Sequence, residues 1–454
     1  MDAAKAFDVI VIGSGSGALV ADRALWQGLT LALVDKGPLG GTCLNVGCVP
    51  SKMLIYPADR LVEAREAAKL GVQAEIIGVD FGAIMSRTRE LVRRTREEIR
   101  GSLSRTGVAL YEAEGHFVGD YTLEVAGERI RGKRIFIAAG ARPLIPPIPG
   151  LEQINYLTNE TLLGLDEAPE SLIAIGGGFI GVEYAHFFSA MGSRVTILQQ
   201  ERRLVPEEEL ELSLILKRRL SQRMDVRTDT EAIEARRDGD GAVIVTRNVA
   251  TGGRGEFAAE RVLVATGRRP NTDLLRVEAA GLETTALGFL KVNGYLETNK
   301  PNIWAFGDVI GKEMFTHVAN QEALVAWHNS SHEHKAEMSY RAAPHAVFAY
   351  PPLASVGLTE AEAKGKFHYL VGKADYKQAV RGEAMMETDT LAKAIVDKES
   401  GHIIGPYAEM LIQEVVDVMA NEGNVNSITA AMHIHPALPE IVVATLHSLR
   451  EPET

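Results

Sequence analysis

Phe7-Asp8-Val9-Ile10-Val11-Ile12-Gly13-Ser14-Gly15-Ser16-Gly17-Ala18 is an apolar strand that runs directly into a glycine turn. A helix is expected through Trp26, then a second strand from Thr30 to Val34 ending at Asp35. In such a unit the backbone amides at the helix N-terminus receive a pyrophosphate, and the acid after the second strand takes ribose hydroxyls. The last fingerprint position holds Ala18, an accepted variant. Strand, turn, helix and acid fall in register, which separates this segment from a chance glycine pattern. The plain alternative is a doubly wound fold whose glycine turn binds nothing.

The pattern recurs. Ser171-Leu172-Ile173-Ala174-Ile175 leads into Gly176-Gly177-Gly178-Phe179-Ile180-Gly181, a helix from Val182 to Met191 and a strand from Arg194 to Leu198. Two such units imply two nucleotides. The second lies between segments of the first domain, so one nucleotide domain is expected to be inserted in another. Its acid position holds Gln199, which removes the usual partner of an unphosphorylated adenosine ribose and weakens NAD against NADP. Arg202 and Arg203 could face a 2'-phosphate or be solvated loop charges. Further on, Ile303-Trp304-Ala305-Phe306-Gly307-Asp308 reads as a short buried strand with an acid at its end. Asp308 either meets a second part of a large cofactor or caps a following helix.

The only two cysteines in the chain, Cys43 and Cys48, stand five positions apart in Gly40-Gly41-Thr42-Cys43-Leu44-Asn45-Val46-Gly47-Cys48-Val49-Pro50-Ser51-Lys52. A regular helix separates such a pair by a rise of about 7.5 Å and a strand by roughly 16 Å, whereas a disulfide tolerates less than about 7 Å between alpha carbons. A bridge therefore needs a distorted turn, for which Asn45 and Gly47 are suited. Structural zinc lacks neighbouring ligands here, and a purely structural disulfide would close too short a loop to stabilise much. A redox-active dithiol is the favoured reading.

Of 454 residues, 46% are hydrophobic and 24% charged, with a net charge of -12. This describes a globular chain of several domains and argues against general nucleic-acid binding, which wants a basic surface. No apolar run reaches the roughly 18 residues of a membrane span. The first strand starts almost at once, leaving no room for a signal peptide, so a cytoplasmic location is expected.

With these residues in hand, the chain resembles the class I pyridine nucleotide-disulfide oxidoreductases over nearly its whole length. The matching stretches are the dithiol segment, both fingerprints in order, Ala265-Thr266-Gly267-Arg268-Arg269-Pro270-Asn271, the pair Gly307-Asp308, and His433-Ile434-His435-Pro436 followed by Glu440. The resemblance implies an α/β fold: two three-layer nucleotide-binding domains, one inserted in the other, and a C-terminal α+β dimerisation domain. The expected boundaries are 1–148 with 273–345 for FAD, 149–272 for NAD or NADP, and 346–454 for dimerisation. FAD contacts are expected from Gly13, Gly15, Ala18, Asp35, Lys36, Gly41, Thr42, Lys52, Gly140, Gly307 and Asp308. Those to the nicotinamide dinucleotide are expected from Gly176, Gly178, Phe179, Gly181, Gln199, Arg202 and Gly267. By position, Cys43 matches the interchange thiol and Cys48 the flavin-facing thiol, while Lys52 and Glu183 match a pair near the flavin. His435, oriented by Glu440, matches the general base that one subunit of a homodimer lends to its partner. Histidine suits that task because it titrates near neutrality. No metal is implied.

The remaining segments read more plainly. Arg87 through Arg105 is an arginine-rich helix with an apolar stripe through Ala83-Ile84, Leu91-Val92, Ile99 and Leu103 and a solvated face. Glu207 to Glu211 is an acidic loop opening the next helix. His433 and His317 read as packing or polar-network residues, and His328, His332 and His334 as a polar stretch. From about residue 346, strands such as Leu391 to Val396 alternate with helices such as Tyr407 to Ala420.

The absence of further cysteines disfavours mercuric reductases and large thioredoxin reductases, and the second thiol disfavours single-cysteine relatives. Phe179, where glutathione reductases place a tyrosine, makes glutathione less favoured. Dihydrolipoamide dehydrogenases share Cys-Leu-Asn-Val-Gly-Cys. Mycothione reductases are similar in Lys52-Met53, His317-Val318-Ala319-Asn320 and His435-Pro436-Ala437-Leu438-Pro439-Glu440. The expected activity is FAD-dependent electron exchange between NAD(P)(H) and a small thiol or disulfide, most simply of dihydrolipoamide dehydrogenase type. An NADPH-dependent low-molecular-weight disulfide reductase is the alternative. A role of another class is a binding subunit on the acyltransferase core of a 2-oxoacid dehydrogenase complex.

Overall fold

The computed structural model describes residues 4–387, 389–408 and 411–452. The chain divides into two compact units, residues 1–51, 85–144 and 267–340 in one, and 52–84, 145–266 and 341–454 in the other.

In the first unit, β1 (Lys5–Ile12) passes through the glycine turn into α1 (Gly17–Trp26), and β2 (Leu31–Val34) returns parallel to β1. Val9, Ile10, Val11 and Ile12 are all buried, the continuous apolar run of a strand covered on both faces. Helix α1 buries Gly17, Val20, Ala21 and Ala24, a stripe of helical period. The dithiol segment folds as α2 (Gly41–Asn45) followed by the start of α3 (Cys48–Glu66). Next comes α4 (Phe81–Leu103). Its buried stripe runs through Phe81, Met85, Thr88 and Val92, whereas Ala83 is exposed, so the inward face is rotated from the expected one. Strand β3 (Glu128–Ile137) pairs parallel with β1 and with Ile303–Ala305. Phe136 stacks on Trp304 at 5.2 Å in this core.

The second unit repeats the plan: β4 (Ser171–Ile175), a glycine turn, α5 (Phe179–Ala190), then β5 (Arg194–Leu198), parallel to β4. Helix α5 starts three residues before the expected Val182. Arg261–Val264 flanks β4 on its other side. A meander of Thr230–Asp238, Gly241–Asn248 and Arg254–Ala259 is attached. The C-terminal part is an antiparallel sheet including β6 (Ala392–Asp397) and β7 (Ile403–Ala408), with α7 (Gln413–Ala420) and α8 (Glu440–His447). The expected helix from Tyr407 to Ala420 is thus corrected. Tyr407 lies in β7, the helix begins only at Gln413, and residues 409 and 410 lie outside the described residues. Ile403 pairs with Val396 across the sheet, and Pro406, without an N–H, suits a helix interior poorly. Among the described residues no helix is long and apolar enough to cross a membrane.

The acidic run opens α6 (Leu210–Leu220) as expected, but two of its carboxylates are buried. Glu208 Oε1 lies 2.9 Å from His345 Nε2, and its other oxygen accepts from the Ser355 hydroxyl. Lys393, 1% exposed, meets Glu209 at 3.0 Å, Glu211 at 2.8 Å and Glu360 at 2.5 Å. Burial opposes the charge on Lys393, but these carboxylates outweigh it and push the ammonium up. Burial also opposes the charge on Glu211, which Lys373 and Lys393 nevertheless hold below its ordinary value. The contribution of Lys393 is therefore present below the unfolded lysine value of about 10.4 and is lost as pH rises through its folded value. That of Glu211 is present above about 4.3 and is lost as pH falls through its folded value. Lys393→Met is expected to lower the unfolding free energy by about 3–5 kcal/mol, read as an earlier denaturant midpoint; an unchanged midpoint would mean that the cage holds nothing.

Candidate active site

Both glycine turns are shaped by carbonyl oxygens that leave no room for side chains. Gly13 has φ +99°, and a Cβ there would stand 2.2 Å from Ala138 O. At Gly17 a Cβ would come within 2.9 Å of Val11, the close helix–strand approach that this turn requires. Asp35 anchors the turn: Oδ2 accepts from Ser14 N at 2.6 Å and Ser14 Oγ at 2.5 Å, and Oδ1 from Gly37 N at 2.7 Å. A Cβ on Gly41 would lie 2.8 Å from Gly15 Cα, so the turn and the start of α2 touch through bare backbone. Ala18 sits in the first turn of α1, Lys36 is exposed, and Thr42 O accepts from Val46 N at 3.0 Å.

The second turn follows the same physics. Gly176 has φ +109° and Ala265 O 2.2 Å from its Cβ position, while a Cβ on Gly181 would meet Gly176 O at 2.0 Å. Gly178, the N-cap of α5, faces open space. Gln199 is buried and accepts from Gly177 N at 3.0 Å, while its own amide donates to Arg203 O at 3.2 Å. Arg203 closes its own loop by donating to Pro206 O, and Arg202 extends into solvent, 89% exposed, with Nε 3.9 Å from Asp229. Phe179 meets the His345 ring edge-on at 5.9 Å.

The cysteines fall where no regular element runs through both: Cys43 in α2 and Cys48 as the first residue of α3. A Cβ on Gly47 would lie 2.9 Å from Thr42 O and 3.2 Å from Cys43 Cα, which explains the glycine in this bend. Cys43 is partly buried and Cys48 exposed. A hydrogen bond with Cys48, together with burial, pushes the Cys43 thiol up, against the opposing pull of the Thr316 hydroxyl. A thiol so held is protonated at neutral pH, so a base must take its proton before it can attack. Cys48 Sγ lies 3.6 Å from Thr316 Oγ1.

Lys52 reaches both oxygens of Glu183, at 3.0 and 2.9 Å, and lies 4.2 Å from the centre of the Phe348 ring. Phe348 N donates to Glu183 Oε1 at 3.1 Å. Helices α3 and α5 are also joined by Asp59 with His186 at 2.8 Å and by Arg65 donating to Ala190 O at 2.9 Å. His435 Nδ1 stands 2.8 Å from Glu440 Oε1, whose other oxygen accepts from Ala437 N at 2.9 Å. The His435 hydrogen bond holds the Glu440 carboxyl below its ordinary value. The imidazole is 69% exposed, so its Nε2 edge is presented outward by the carboxylate behind it.

Gly307 N donates to the buried Glu322 at 2.6 Å, Gly140 O accepts from Asn271 N at 3.2 Å, and Gly267 O accepts from Leu144 N at 2.9 Å. Asp308 pairs with Arg268 at 3.1 Å in a tight turn, Gly307–Ile310. It is not a helix cap, because the following helix starts at Thr316 behind Phe315. His433 pairs with Glu414 at 3.2 Å, His317 stacks on Phe315, and the rings of His328 and His332 stack at 4.2 Å. Thr316, Phe348 and Glu322 carry no local sequence signal for these contacts, whereas Arg268 lies inside the Ala265–Asn271 stretch. Ser14 lies inside the first glycine fingerprint, which is the local signal for its bonds to Asp35.

Residues 7–323 match the pyridine nucleotide-disulphide oxidoreductase family and residues 343–446 match its dimerisation domain. A dihydrolipoyl dehydrogenase of Bacillus subtilis is 35% identical, covering 96% of this chain and 95% of its own length. A mycothione reductase of Mycobacterium tuberculosis is 33% identical, covering 98% and 100%. The solved HOCl-induced flavoprotein disulfide reductase RclA from Escherichia coli superposes with a TM-score of 0.84 at 27% identity, covering 97% of this chain and 99% of that one. The chain belongs to the pyridine nucleotide-disulphide oxidoreductase family and is an FAD-dependent oxidoreductase of it. The family uses FAD and NAD(P)H, and both turns fit a pyrophosphate: each has backbone bared by glycine at the N-terminus of a helix of at least ten residues. Gly181→Ala is expected to raise the KM for the nicotinamide dinucleotide about tenfold, some 1.4 kcal/mol, while bound flavin stays at wild-type content. Steady-state kinetics and flavin absorbance read the two apart, and an unchanged KM would remove the second turn from the reaction.

Proposed function

We propose that this chain moves electron pairs between NAD(P)(H) and a small thiol or disulfide through Cys43 and Cys48, with dihydrolipoamide as the first candidate substrate. The observation that carries the reading is the tight bend between α2 and α3, where Gly47, next to Cys48, has its Cβ position 3.2 Å from Cys43 Cα, so that the two thiols flank one turn. The absence of any further cysteine supports a substrate that reacts with this pair directly. The dihydrolipoyl dehydrogenase relatives favour lipoamide. A second reading, an NADPH-dependent reductase of mycothione-reductase type, is favoured by Gln199 in place of an acid and by the largely exposed Arg202 close behind it.

FAD, when bound at the first turn by Gly13, Gly15, Asp35, Gly41, Gly307, Asp308 and their neighbours, supplies a two-electron carrier between the nicotinamide and Cys48. His435, lent by a partner subunit, takes the proton of a substrate thiol. The thiolate attacks Cys43 Sγ, breaking the bond to Cys48 and releasing the Cys48 thiolate. The second substrate thiol then resolves the mixed disulfide, leaving Cys43 reduced and the substrate oxidised. Glu440 holds the imidazole tautomer and supports the imidazolium. Lys52, fixed by Glu183 and the Phe348 ring, supplies a placed positive charge near the flavin. In the reductive direction each step reverses. We assign 1–148 with 273–345, 149–272 and 346–454 as the FAD, NAD(P) and dimerisation domains of a cytoplasmic homodimer. Docking on an acyltransferase core is the reading of another class, and copurification with such a core would favour it.

Anaerobic two-electron reduction is expected to produce long-wavelength absorbance that Cys48→Ala abolishes. Cys43→Ser is expected to stop turnover with disulfides while flavin stays bound; ordinary turnover would defeat the assignment. His435→Gln is expected to cost about 100-fold or more in rate. Rates with NADH and NADPH, each paired with lipoamide, glutathione, mycothione and coenzyme A disulfides, decide between the two substrate readings.

A further inference from the structure

Helix α4 carries arginines that pair with acids: Arg93 with Glu90 and Glu97, Arg94 with Glu98, and Arg100 with Glu112. Arg96 departs from that pattern. It turns Nε and Nη2 to one neutral oxygen, Asn45 Oδ1, at 3.0 and 2.7 Å. Asn45 is 3% exposed and ends α2, between the two cysteines. Its Nδ2 donates to Leu39 O at 2.9 Å, Gly41 O at 2.8 Å and Pro38 O at 3.3 Å. One turn along α4, Ile99 stands 3.2 Å from the Cβ position of Gly40, so the helix touches this turn twice.

We infer that Arg96 is a positioning residue for the redox pair: by orienting Asn45 it holds the bend in which Cys43 and Cys48 meet, and so sets their dithiol–disulfide equilibrium. The inference rests on the redox reading above. A primary amide has two nearly isosteric orientations, and only one turns its N–H groups toward the three carbonyls. The guanidinium fork, a donor without acceptor capacity, selects that orientation. Without it, Asn45 Oδ1 is free to turn against carbonyl oxygens, and segment 38–45 loses the tie that keeps Cys43 near Cys48. Closing the bridge converts two thiols to one S–S bond and releases two protons and two electrons. The electrons pass to a small-molecule disulfide, which becomes two thiols. A looser bend lowers the effective concentration of one sulfur at the other, so the bridge becomes easier to reduce.

The test is the midpoint potential of the Cys43–Cys48 couple in flavin-loaded enzyme, poised with a lipoamide/dihydrolipoamide buffer. Flavin content and thermal unfolding are measured alongside. Arg96→Met is expected to shift the equilibrium about tenfold toward the dithiol, close to 30 mV more positive, with flavin content unchanged. Arg96→Lys keeps the charge without the fork and is expected to shift in the same direction. A wild-type potential in Arg96→Met overturns the inference, as does full restoration by Arg96→Lys, which would make charge the cause. Should Arg96→Met fail to fold, Arg96→Gln, with one N–H available to Asn45, is expected to give a smaller shift of the same sign; a wild-type potential there also overturns it. If wild-type enzyme titrates as Cys48→Ala does, the redox reading has failed first and the inference falls with it.

Discussion

Two carbonyl oxygens, Ala138 O and Ala265 O, pass within 2.2 Å of where a side chain would stand on Gly13 and Gly176. Each follows a strand that pairs with the strand leading into the turn. The parallel sheet therefore brings a backbone oxygen onto the entrance of each nucleotide turn, and only a residue without Cβ, at positive φ, accommodates it. Every later feature of both turns depends on this crossing: the helix N-terminus aimed at the turn, the bared backbone at Gly15 and Gly178, and the contact of Gly15 with Gly41 that joins the first turn to the dithiol segment.

The two turns share a second device. The side chain at the end of the second strand, Asp35 or Gln199, accepts the amide of the residue after the first glycine. Replacing the acid with an amide keeps this internal hydrogen bond and removes the negative charge. The loss of the acid is thus tolerated by the fold while altering what the adenosine ribose would meet.

Charge placement follows a related logic in the C-terminal part of the second unit. Carboxylates that look like a solvated acidic loop are buried against Lys393, His345 and Ser355. Buried carboxylates persist only where cations and donors meet them, and those partners lie roughly 140 to 180 residues away. Asn45 shows the same pattern at shorter range, with its orientation selected by an arginine from a surface helix.

The glycine fingerprints, strand periods, cysteine spacing and the His435–Glu440 interval are local patterns, so the residues alone determined the doubly wound architecture and the candidate redox and acid–base groups. Short-range geometry explains why: turns, helix starts and a bend between two thiols are set within about a dozen neighbouring residues. The start of α5, the strand at Tyr407, the ion pair of Asp308 with Arg268, the place of Phe348 against Lys52 and Glu183, and the hold of Arg96 on Asn45 were decided by the tertiary structure. They depend on which distant segments share a core, and side-chain polarity carries no address for a partner that folding alone brings near.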